Sequence, residues 1–478
     1  MQLKPWLVPT VAVLLAACAT NPATGRRQLM LMSEAEEIQL GREADAQVRS
    51  QMGLYEDAAL QRYVSDTGLR LARLSERPEL PWSFAVVDAP AVNAFALPGG
   101  FIYLTRGMLP FLQDESELAA VLGHEIGHVT ARHSAAAYSR QMALGGGLGV
   151  LGVLVPETQP LQGLAGVGLQ LLFLQHSREA ELEADGLGTG YTASGGWDPQ
   201  GMPDLLSTLG RLDEASGSRR GVPNWAATHP HPDDRVERVQ QAVAEARALG
   251  GTTVDRAGFE RHLEGVVYGD SRESGLVRGD AFVHPILRFG VNFPSGWEIA
   301  NSPEQVVARP PEDAQAAMVL ELAPSGGSVE QVARTQMADA GFREVSGERA
   351  EINGLPAYVG VYEGVLNNSR IGVRAAHIRN LERTYLLAGV APPGSFSQAD
   401  RAFVDAIGSF RTLSQREADA IQPHRIGFYS VRRGDTWESL ARTVSPGVSG
   451  PATLAIMNGV SASTPPQPGD RIRVVAGG

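Results

Sequence analysis

His124, Glu125 and His128 form an H-E-x-x-H motif in a stretch whose pattern predicts an α-helix, and this motif constrains the fold most. Residues four apart lie on one helix face, so both imidazoles can bind one Zn²⁺. Glu125 then lies where a carboxylate can accept a proton from the attacking water. Asp114 and Glu117 form a candidate capping box at the start of this helix.

Two glycines inside the predicted helix are unusual. Gly123 and Gly127 each cost such a helix about 1 kcal/mol relative to alanine. Their presence predicts a close approach by backbone, metal ligands or substrate on that side of the helix.

The motif alone is weak evidence for a metal site, because a chance H-E-x-x-H is expected in roughly one sequence in a hundred of this composition. A third metal ligand elsewhere in the chain would decide the question. Catalytic zinc sites use three protein ligands and a water. A third histidine six residues after His128 is excluded, since Ser134 stands there. His133 is one residue out of register and would point away from the shared helix face. We therefore interpret His133 as a helix-face or packing residue.

An acidic helix later in the chain offers the third ligand. Glu179, Glu181 and Glu183 compete for this role. Glu181 and Asp185 lie four apart on one face, so Glu181 can bind the metal while Asp185 accepts the outer N–H of a ligand histidine. Taken alone, such a helix would be a solvated surface. Beside the H-E-x-x-H motif, we favour metal binding.

The H-E-x-x-H motif followed by Glu181-x-x-Ala184-Asp185 resembles the gluzincin family of the HtpX and CaaX-prenyl proteases, in particular its soluble periplasmic BepA-like branch. Residues 21–29 resemble the N-terminal lead-in of that branch. The resemblance covers about residues 20 to 265. It implies a mainly helical zinc metallopeptidase domain with a small sheet.

A segment before the motif resembles the family's strand beside the active site. This segment runs from Asn93 through Phe101, Ile102 and Tyr103. The resemblance implies that an extended substrate pairs its backbone with the strand at residues 101–103.

A loop after the zinc helices also resembles the family's. Thr228-His229-Pro230 with Arg235 carries this likeness, which places His229 near the metal. Two roles for His229 stay open: a latch on the position that the attacking water needs, or a donor to the transition state. We interpret His231 as an exposed loop histidine.

The N-terminus predicts export and lipid attachment. The apolar run from Leu7 to Ala17 is too short to cross a bilayer and fits a signal peptide at residues 1–17. Leu15 to Cys18 resembles a lipobox, with lipid on the Cys18 thiol and residues 18–32 as a tether. An ordinary signal peptide is the weaker alternative, because Cys18 is the only cysteine. Ala19 resembles the sorting pattern of the outer membrane, so we expect a lipid-anchored protein on its inner leaflet in a Gram-negative periplasm.

Composition excludes some sites and partners. With one cysteine, the mature protein has neither disulfides nor thiolate metal sites. The chain carries 41 basic and 53 acidic residues and no basic run with interleaved aromatics, so we expect no nucleic-acid partner.

Length and pattern predict three domains of α+β class, the first being the peptidase domain at residues 33–265. Two apolar segments within it, at 142–155 and 161–174, are too short to span a bilayer. We expect each to form a core helix or a hydrophobic lid over the cleft, and we prefer a core position over membrane contact.

Residues 281–413 predict an α+β sandwich that weakly resembles PsbP or Mog-like modules. We expect a spacer or protein-contact role for it. Helices are predicted at 329–340 and 398–410. Strands are predicted at residues 289–293, 318–322, 358–362, 371–378 and 385–390.

Residues 429–476 resemble a LysM domain. Tyr429 to Ala441, Ile456 to Gly459 and Pro468 to Val474 carry the pattern. It implies a small β-α-α-β module that binds N-acetylglucosamine in peptidoglycan. Extra Gly, Pro and Ser between Thr443 and Thr453 leave the absence of glycan binding open.

Together the patterns predict a periplasmic zinc metalloendopeptidase that cleaves misfolded or unassembled envelope proteins. One Zn²⁺ per chain would bind His124, His128 and Glu181, with Glu125 as general base. Asp185 would accept the outer N–H of one of the ligand histidines. Two alternatives stay open. A peptidoglycan hydrolase would explain LysM beside zinc, and a peptidoglycan-associated chaperone or scaffold with a latent site would leave Glu125 without a role.

Overall fold

The computed structural model describes residues 18–143, 176–216, 225–229, 235–311, 316–366, 369–445 and 450–477. The predicted signal peptide, His231 and, apart from residues 142 and 143, the two apolar segments at 142–155 and 161–174 lie outside the described residues. The chain forms two compact units: the catalytic unit, up to Gly269 together with His424–Ala476, and the central unit, Asp270–Pro423 with the last two residues. No helix in the described ranges has the length and apolar character to cross a membrane.

The catalytic unit is mainly helical with a small sheet, as predicted. Its first helices are α1 (Glu34–Met52), α2 (Ala58–Ala72), α3 (Glu115–Thr130), α4 (His133–Ala143) and α5 (Arg178–Ser194). They are followed by α6 (Gly201–Ser216), α7 (Trp225–Thr228), α8 (Arg235–Ala246) and α9 (Arg256–Leu263).

Helix α3 lies at the centre of this unit, and every residue from Ser116 to Thr130 is buried. Asp114 caps it by accepting from the backbone N–H groups of Ser116 and Glu117. The Glu117 side chain accepts instead from the N–H of Gln113, at 2.9 Å, so the predicted capping box is half formed.

The glycines of α3 permit close packing against α5. A methyl group at Gly123 would lie 2.9 Å from the carbonyl oxygen of Gly188, and one at Gly127 would lie 3.1 Å from the Cα of Ala184. The predicted close approach is therefore confirmed, and the approaching group is the backbone of α5.

Residues 18–32, which the sequence predicts as a tether, instead form a hairpin fastened to the helices. Strands β1 (Cys18–Thr20) and β2 (Arg27–Leu29) pair antiparallel. Asn21 donates to Glu183 of α5 at 2.7 Å, and Gln28 donates to the carbonyl of Ala131 at 3.2 Å. The polar side chains of the lead-in make these contacts, so the segment is ordered against the helices.

A three-stranded sheet lies beside α3. It consists of β3 (Ser83–Val87), β4 (Ala94–Leu97) and β5 (Phe101–Thr105) in the order β3-β5-β4. Strand β5 is parallel to β3 and antiparallel to β4.

The C-terminal segment of the catalytic unit has the predicted β-α-α-β order. Its elements are β18 (His424–Ser430), α13 (Trp437–Thr443), α14 (Pro451–Met457) and β19 (Arg471–Ala476). Strands β18 and β19 pair antiparallel, and β6 (Val267–Tyr268) joins β18 on its other edge.

This β-α-α-β segment is not a separate third body, which corrects the predicted domain division. Ile426, Ile456, Met457 and Val475 lie in the same buried cluster as the apolar residues of α3. Sequence pattern reveals the elements of a small module but not which core their apolar residues join.

The central unit is built on two sheets. Its first strands are β7 (Leu276–Arg278), β8 (Ala281–His284), β9 (Phe289–Asn292), β10 (Glu298–Asn301), β11 (Gln305–Arg309) and β12 (Ala317–Leu322). The later ones are β13 (Arg343–Ile352), β14 (Leu355–Leu366), β15 (Ser369–Asn380), β16 (Arg383–Ala391) and β17 (Arg411–Thr412). Seven strands form the order β10-β11-β12-β16-β15-β14-β13, and four form β17-β9-β8-β7.

Helices α10 (Val329–Asp339), α11 (Pro393–Gly408) and α12 (Gln415–Ala420) complete the central unit. Arg374 of β15 pairs with Asp400 of α11, whereas His377 contacts Gln336 of α10. Positions 374 and 377 point to opposite faces of a strand, so α10 and α11 cover opposite faces of the large sheet. The five predicted strands and both predicted helices are present.

Candidate active site

Four predicted site residues converge in the catalytic unit. His124 and His128 of α3, Glu181 of α5 and His229 after α7 are all buried, and one ligand atom from each lies within 4.8 Å of the others. The Nε2 atoms of His124 and His128 are 3.0 Å apart. The Glu181 carboxylate lies 3.6 Å from His124 Nε2 and 3.4 Å from His128 Nε2.

This donor set fits a divalent metal ion. His124 and His128 direct ring nitrogens at one point, and each such nitrogen can offer a lone pair to a cation. Glu181 adds a negative charge that is fully buried, which is costly unless a cation or hydrogen bonds compensate it. Imidazole and carboxylate together are ligands of zinc and neighbouring transition metals.

The choice among the three glutamates of α5 is clear in the structure. Glu181 is buried within the cluster, Glu179 is exposed, and Glu183 accepts a hydrogen bond from Asn21. The other two glutamates are each two residues away from Glu181, about 200° around the helix axis. Only Glu181 therefore faces His124 and His128.

The outer nitrogen of His124 has the partner that spacing predicts. His124 Nδ1 lies 2.9 Å from Asp185 Oδ1. Arg235 holds Asp185 in turn, with Nε at 2.6 Å and Nη2 at 2.7 Å from its two oxygens. Arg235 Nη2 also lies 3.2 Å from Glu181. Arg235 is thus a site residue that the sequence showed only through the loop resemblance.

His133 is closer to the site than the helical pattern predicts. Helix α3 ends at Thr130, Arg132 adopts a left-handed backbone with φ 60°, and α4 begins at His133. The chain therefore turns back, and His133 Nδ1 lies 2.9 Å from His128 Nδ1. His133 is buried, but the prediction that it points away from the ligands is wrong because it assumed one continuous helix.

His176 is a neighbour that no sequence motif indicated. Its ring stacks on that of His128, with centroids 4.0 Å apart and 24° between the planes. It stands just before α5, where the sequence shows no recognisable spacing to the motif.

Glu125 is buried beside the cluster. Its Oε1 atom lies 3.6 Å from His229 Nε2. Burial raises the pKa of Glu125, and the neighbouring His229 and His124 offset part of that effect. The carboxylate therefore lies on the side of α3 that faces the cluster.

Charge within the cluster shifts the other groups. Burial lowers the pKa of His128 well below its ordinary value, which favours the neutral imidazole that binds a metal. Burial raises the pKa of Glu181, but His229 and His128 together outweigh burial, and the net pKa lies well below the ordinary value. For Asp185, Arg235 likewise outweighs burial and lowers the pKa.

His229 lies inside the cluster. Its backbone N–H donates to the carbonyl of Trp225 at 2.7 Å, and its ring stacks on the Trp225 indole with centroids 4.1 Å apart. Its Nδ1 lies 3.1 Å from Glu181 and 3.3 Å from His124 Nε2. Burial lowers the pKa of His229, but Glu181 and Glu125 outweigh it and raise the net pKa. The latch and the donor roles both remain compatible with this position.

The strand at residues 101–103 cannot pair with a substrate, which corrects the prediction for Phe101, Ile102 and Tyr103. Strand β5 is the middle strand, so β3 and β4 occupy both of its edges. The resemblance identified the correct hairpin but not its edge, because strand order depends on pairing that a local pattern does not contain.

Strand β4 is the edge strand of this hairpin. Within the described residues, no strand pairs with its outer edge. The N–H of Thr105 donates to the carbonyl of Asn93 at 3.0 Å, so by antiparallel alternation the N–H and C=O of Ala96 point to that outer edge. Thr228, next to His229, contacts the Asn93 side chain at 3.3 Å, which places the start of β4 beside the site.

Comparison with known proteins agrees with this geometry. The chain is 31% identical over 238 residues to the beta-barrel assembly-enhancing protease of Escherichia coli and 34% identical over 231 residues to that of Yersinia pestis. These alignments cover 48% and 47% of this chain and the same shares of the relatives, so the chain spans about half their length.

A solved structure also matches part of the chain. The cyanobacterial PsbP of Synechocystis covers 29% of this chain and 95% of its own, with 14% identity and a TM-score of 0.25. A score this low assigns no fold to the central unit.

Two further matches establish the family. The mitochondrial metalloendopeptidase OMA1 of Schizosaccharomyces pombe is 31% identical over 242 residues, which cover 48% of this chain and 68% of the relative. Residues 58–243 match the peptidase family M48 and contain all four residues of the buried cluster. The chain belongs to peptidase family M48.

Proposed function

We propose that this protein is a zinc metalloendopeptidase that cleaves misfolded or unassembled proteins of the bacterial envelope. The observation that carries the proposal is the buried convergence of His124, His128 and Glu181 with Glu125 beside them. A structural metal site would need no such carboxylate next to the ligands.

Zinc, when bound by His124, His128 and Glu181, would polarise the scissile carbonyl and lower the pKa of the attacking water. Glu125 accepts the proton of that water and passes it to the leaving amine. Asp185 fixes the ring of His124, and Arg235 fixes Asp185. His229 either blocks the attacking water until its loop moves or donates to the oxygen that becomes negative.

The substrate backbone pairs with the outer edge of β4. Ala96 offers its N–H and C=O there, and backbone pairing selects an extended chain rather than particular side chains. A folded protein presents few such segments, so this mode favours misfolded or unassembled substrates. The name of the Escherichia coli relative, a protease that enhances β-barrel assembly, supports an envelope substrate.

The accessory features support a periplasmic location. The lipobox at Cys18 would attach lipid and hold the protein at the inner leaflet of the outer membrane. The β-α-α-β segment would bind peptidoglycan as a LysM domain. The surface of the first turn after β18, including Arg432, Arg433 and Gly434, is exposed and accessible to a glycan.

Digestion of an unfolded protein by residues 18–478 tests the proposal. Glu125→Gln should keep zinc and lose turnover by a factor of about 10² to 10⁴, because an amide cannot accept the proton. Glu181→Ala should lose zinc, whereas Glu179→Ala, exposed on the same helix, should keep zinc and turnover. Full zinc occupancy in Glu181→Ala would contradict the ligand assignment.

The same preparation separates the alternatives. Release of muropeptides from peptidoglycan would identify a hydrolase, and binding of unfolded protein without cleavage would identify a chaperone. His229→Ala should raise basal proteolysis if His229 is a latch and lower it if His229 is a donor. Unchanged proteolysis and zinc affinity would rule out both roles.

A further inference from the structure

We infer that His133 is a positioning residue that accepts the outer N–H of the ligand His128. The inference rests on the proposed metal site and assigns to this chain a residue outside the H-E-x-x-H motif. The two Nδ1 atoms lie 2.9 Å apart, and both rings are buried.

The tautomer of His128 follows from its surroundings. Its Nε2 faces the cluster, 3.0 Å from His124 Nε2 and 3.4 Å from Glu181. An imidazole that binds metal through Nε2 is neutral and carries its proton on Nδ1. His128 Nδ1 therefore donates, and His133 Nδ1 accepts.

The two ligand histidines thus have different outer partners. His124 directs its Nδ1 to the carboxylate of Asp185, which Arg235 holds. His128 directs its Nδ1 to the buried imidazole of His133. A metal-binding histidine usually has such an outer partner, which fixes the plane of its ring.

The backbone explains how His133 reaches this position. The left-handed Arg132 lies between α3 and α4 and reverses the chain, so His133 lies back over the end of α3. The far nitrogen of His133 faces Glu183 at 3.9 Å, and Asn21 of the N-terminal hairpin donates to Glu183 at 2.7 Å. Elements from three parts of the chain therefore surround the His133 ring.

The test compares zinc affinity among substitutions at position 133 in the full chain. The acceptor of His133→Asn, Oδ1, is bonded to Cγ as the histidine Nδ1 is, so this variant keeps the acceptor in place. The acceptor of His133→Gln lies one bond further out, and His133→Leu has none. His176→Leu is the matched control, because it removes an imidazole that stacks on the His128 ring.

We expect zinc affinity, measured by competition with a chelating dye, to fall about 10- to 100-fold in His133→Leu and His133→Gln. His133→Asn and His176→Leu should remain close to the unsubstituted protein. If His133→Leu does not fold, the zinc affinities of His133→Asn and His133→Gln still test the inference, because both variants carry a polar side chain.

The outcomes separate this inference from the proposed function. Equal zinc affinity in His133→Asn, His133→Gln and the unsubstituted protein would overturn the role of His133 while leaving the zinc site intact. An equal loss in His176→Leu would also overturn it, since it would show that any neighbouring ring suffices. Failure of the unsubstituted protein to bind zinc would instead contradict the proposed function.

Discussion

The two regions that follow the catalytic helices differ in which core they build. The central unit buries its own aromatic cluster, in which Phe289, Tyr385 and Phe410 contact one another. The β-α-α-β segment, although only about a third as long, contributes Met457 and Val475 to the core around α3. A region's length and sequence pattern therefore do not tell whether the core around α3 depends on that region.

The two regions also differ in how the chain connects them to the catalytic helices. Strand β6, just before the central unit, pairs antiparallel with β18, just after it, and Tyr268 is the partner of His424. Partner residues on antiparallel strands are about 5 Å apart, a gap that a short hairpin loop closes. The central unit is thus an insertion between two neighbouring strands.

The largest predicted effect comes from removing each region. Ending the chain after Gln422 should prevent stable folding of the peptidase, because residues of its core are lost. Replacing residues 270–423 by a short glycine-serine loop should keep folding, zinc content and turnover. Solubility, thermal unfolding and zinc content are measured for both variants. A truncated chain that folds and binds zinc would show that the two regions do not differ.

Spacing predicts the helical part of the site because its contacts are local. His124, Glu125 and His128 lie within one helix, and Glu181 and Asp185 within another, so the helical period alone orients them. Those side chains do converge in the structure.

The missed features depend on contacts between distant parts of the chain. The middle position of β5 depends on β3 and β4, and the turn at Arg132 directs His133 to His128. Arg473 contacts carbonyls some 360 residues earlier. No local pattern contains such pairings, so the sequence predicted the elements of the C-terminal segment and not their place.

The second prediction concerns Arg473, which joins the β-α-α-β segment to the start of α3. Its buried guanidinium donates to the carbonyls of Pro110, Leu112, Gln113 and Met457. Arg473→Met should cost the catalytic unit about 3 kcal/mol or more, because these carbonyls lose their donor in a buried site. Thermal unfolding measures the loss, and hydrogen exchange at residues 110–118 localises it.

A matched arginine in the central unit serves as the control for Arg473. Arg374 pairs with Asp400 and remains partly exposed. Arg374→Met should cost at most about 1 kcal/mol, and only in the central unit. Unchanged hydrogen exchange before α3 in Arg473→Met would show that the segment does not support the catalytic helix.

The third prediction uses pH to address the central unit alone. Burial lowers the pKa of His284 and of His377 to about 4, against 6.5 for the unfolded chain. The unfolded chain therefore binds more protons between pH 6.5 and 4, and stability is lost as the pH falls through that window. The loss should be of order 1 kcal/mol per pH unit for each histidine. His377→Gln should reduce the change of stability with pH in the isolated insertion. An unchanged pH dependence would show that the buried His377 does not contribute to it.

The smallest predicted effect comes from two helix caps that form the same type of capping box. Thr436 caps α13 in the β-α-α-β segment, and Ser328 caps α10 in the central unit. Each substitution to alanine should cost about 1 kcal/mol, which lowers a melting temperature by about 2 to 4 °C. If the segment and the peptidase unfold together, Thr436→Ala should lower the temperature at which zinc is released, whereas Ser328→Ala should leave it unchanged. A Thr436→Ala protein that loses protection from hydrogen exchange only within residues 424–476, and releases zinc at the original temperature, would show that the segment unfolds by itself despite the core that it shares with α3.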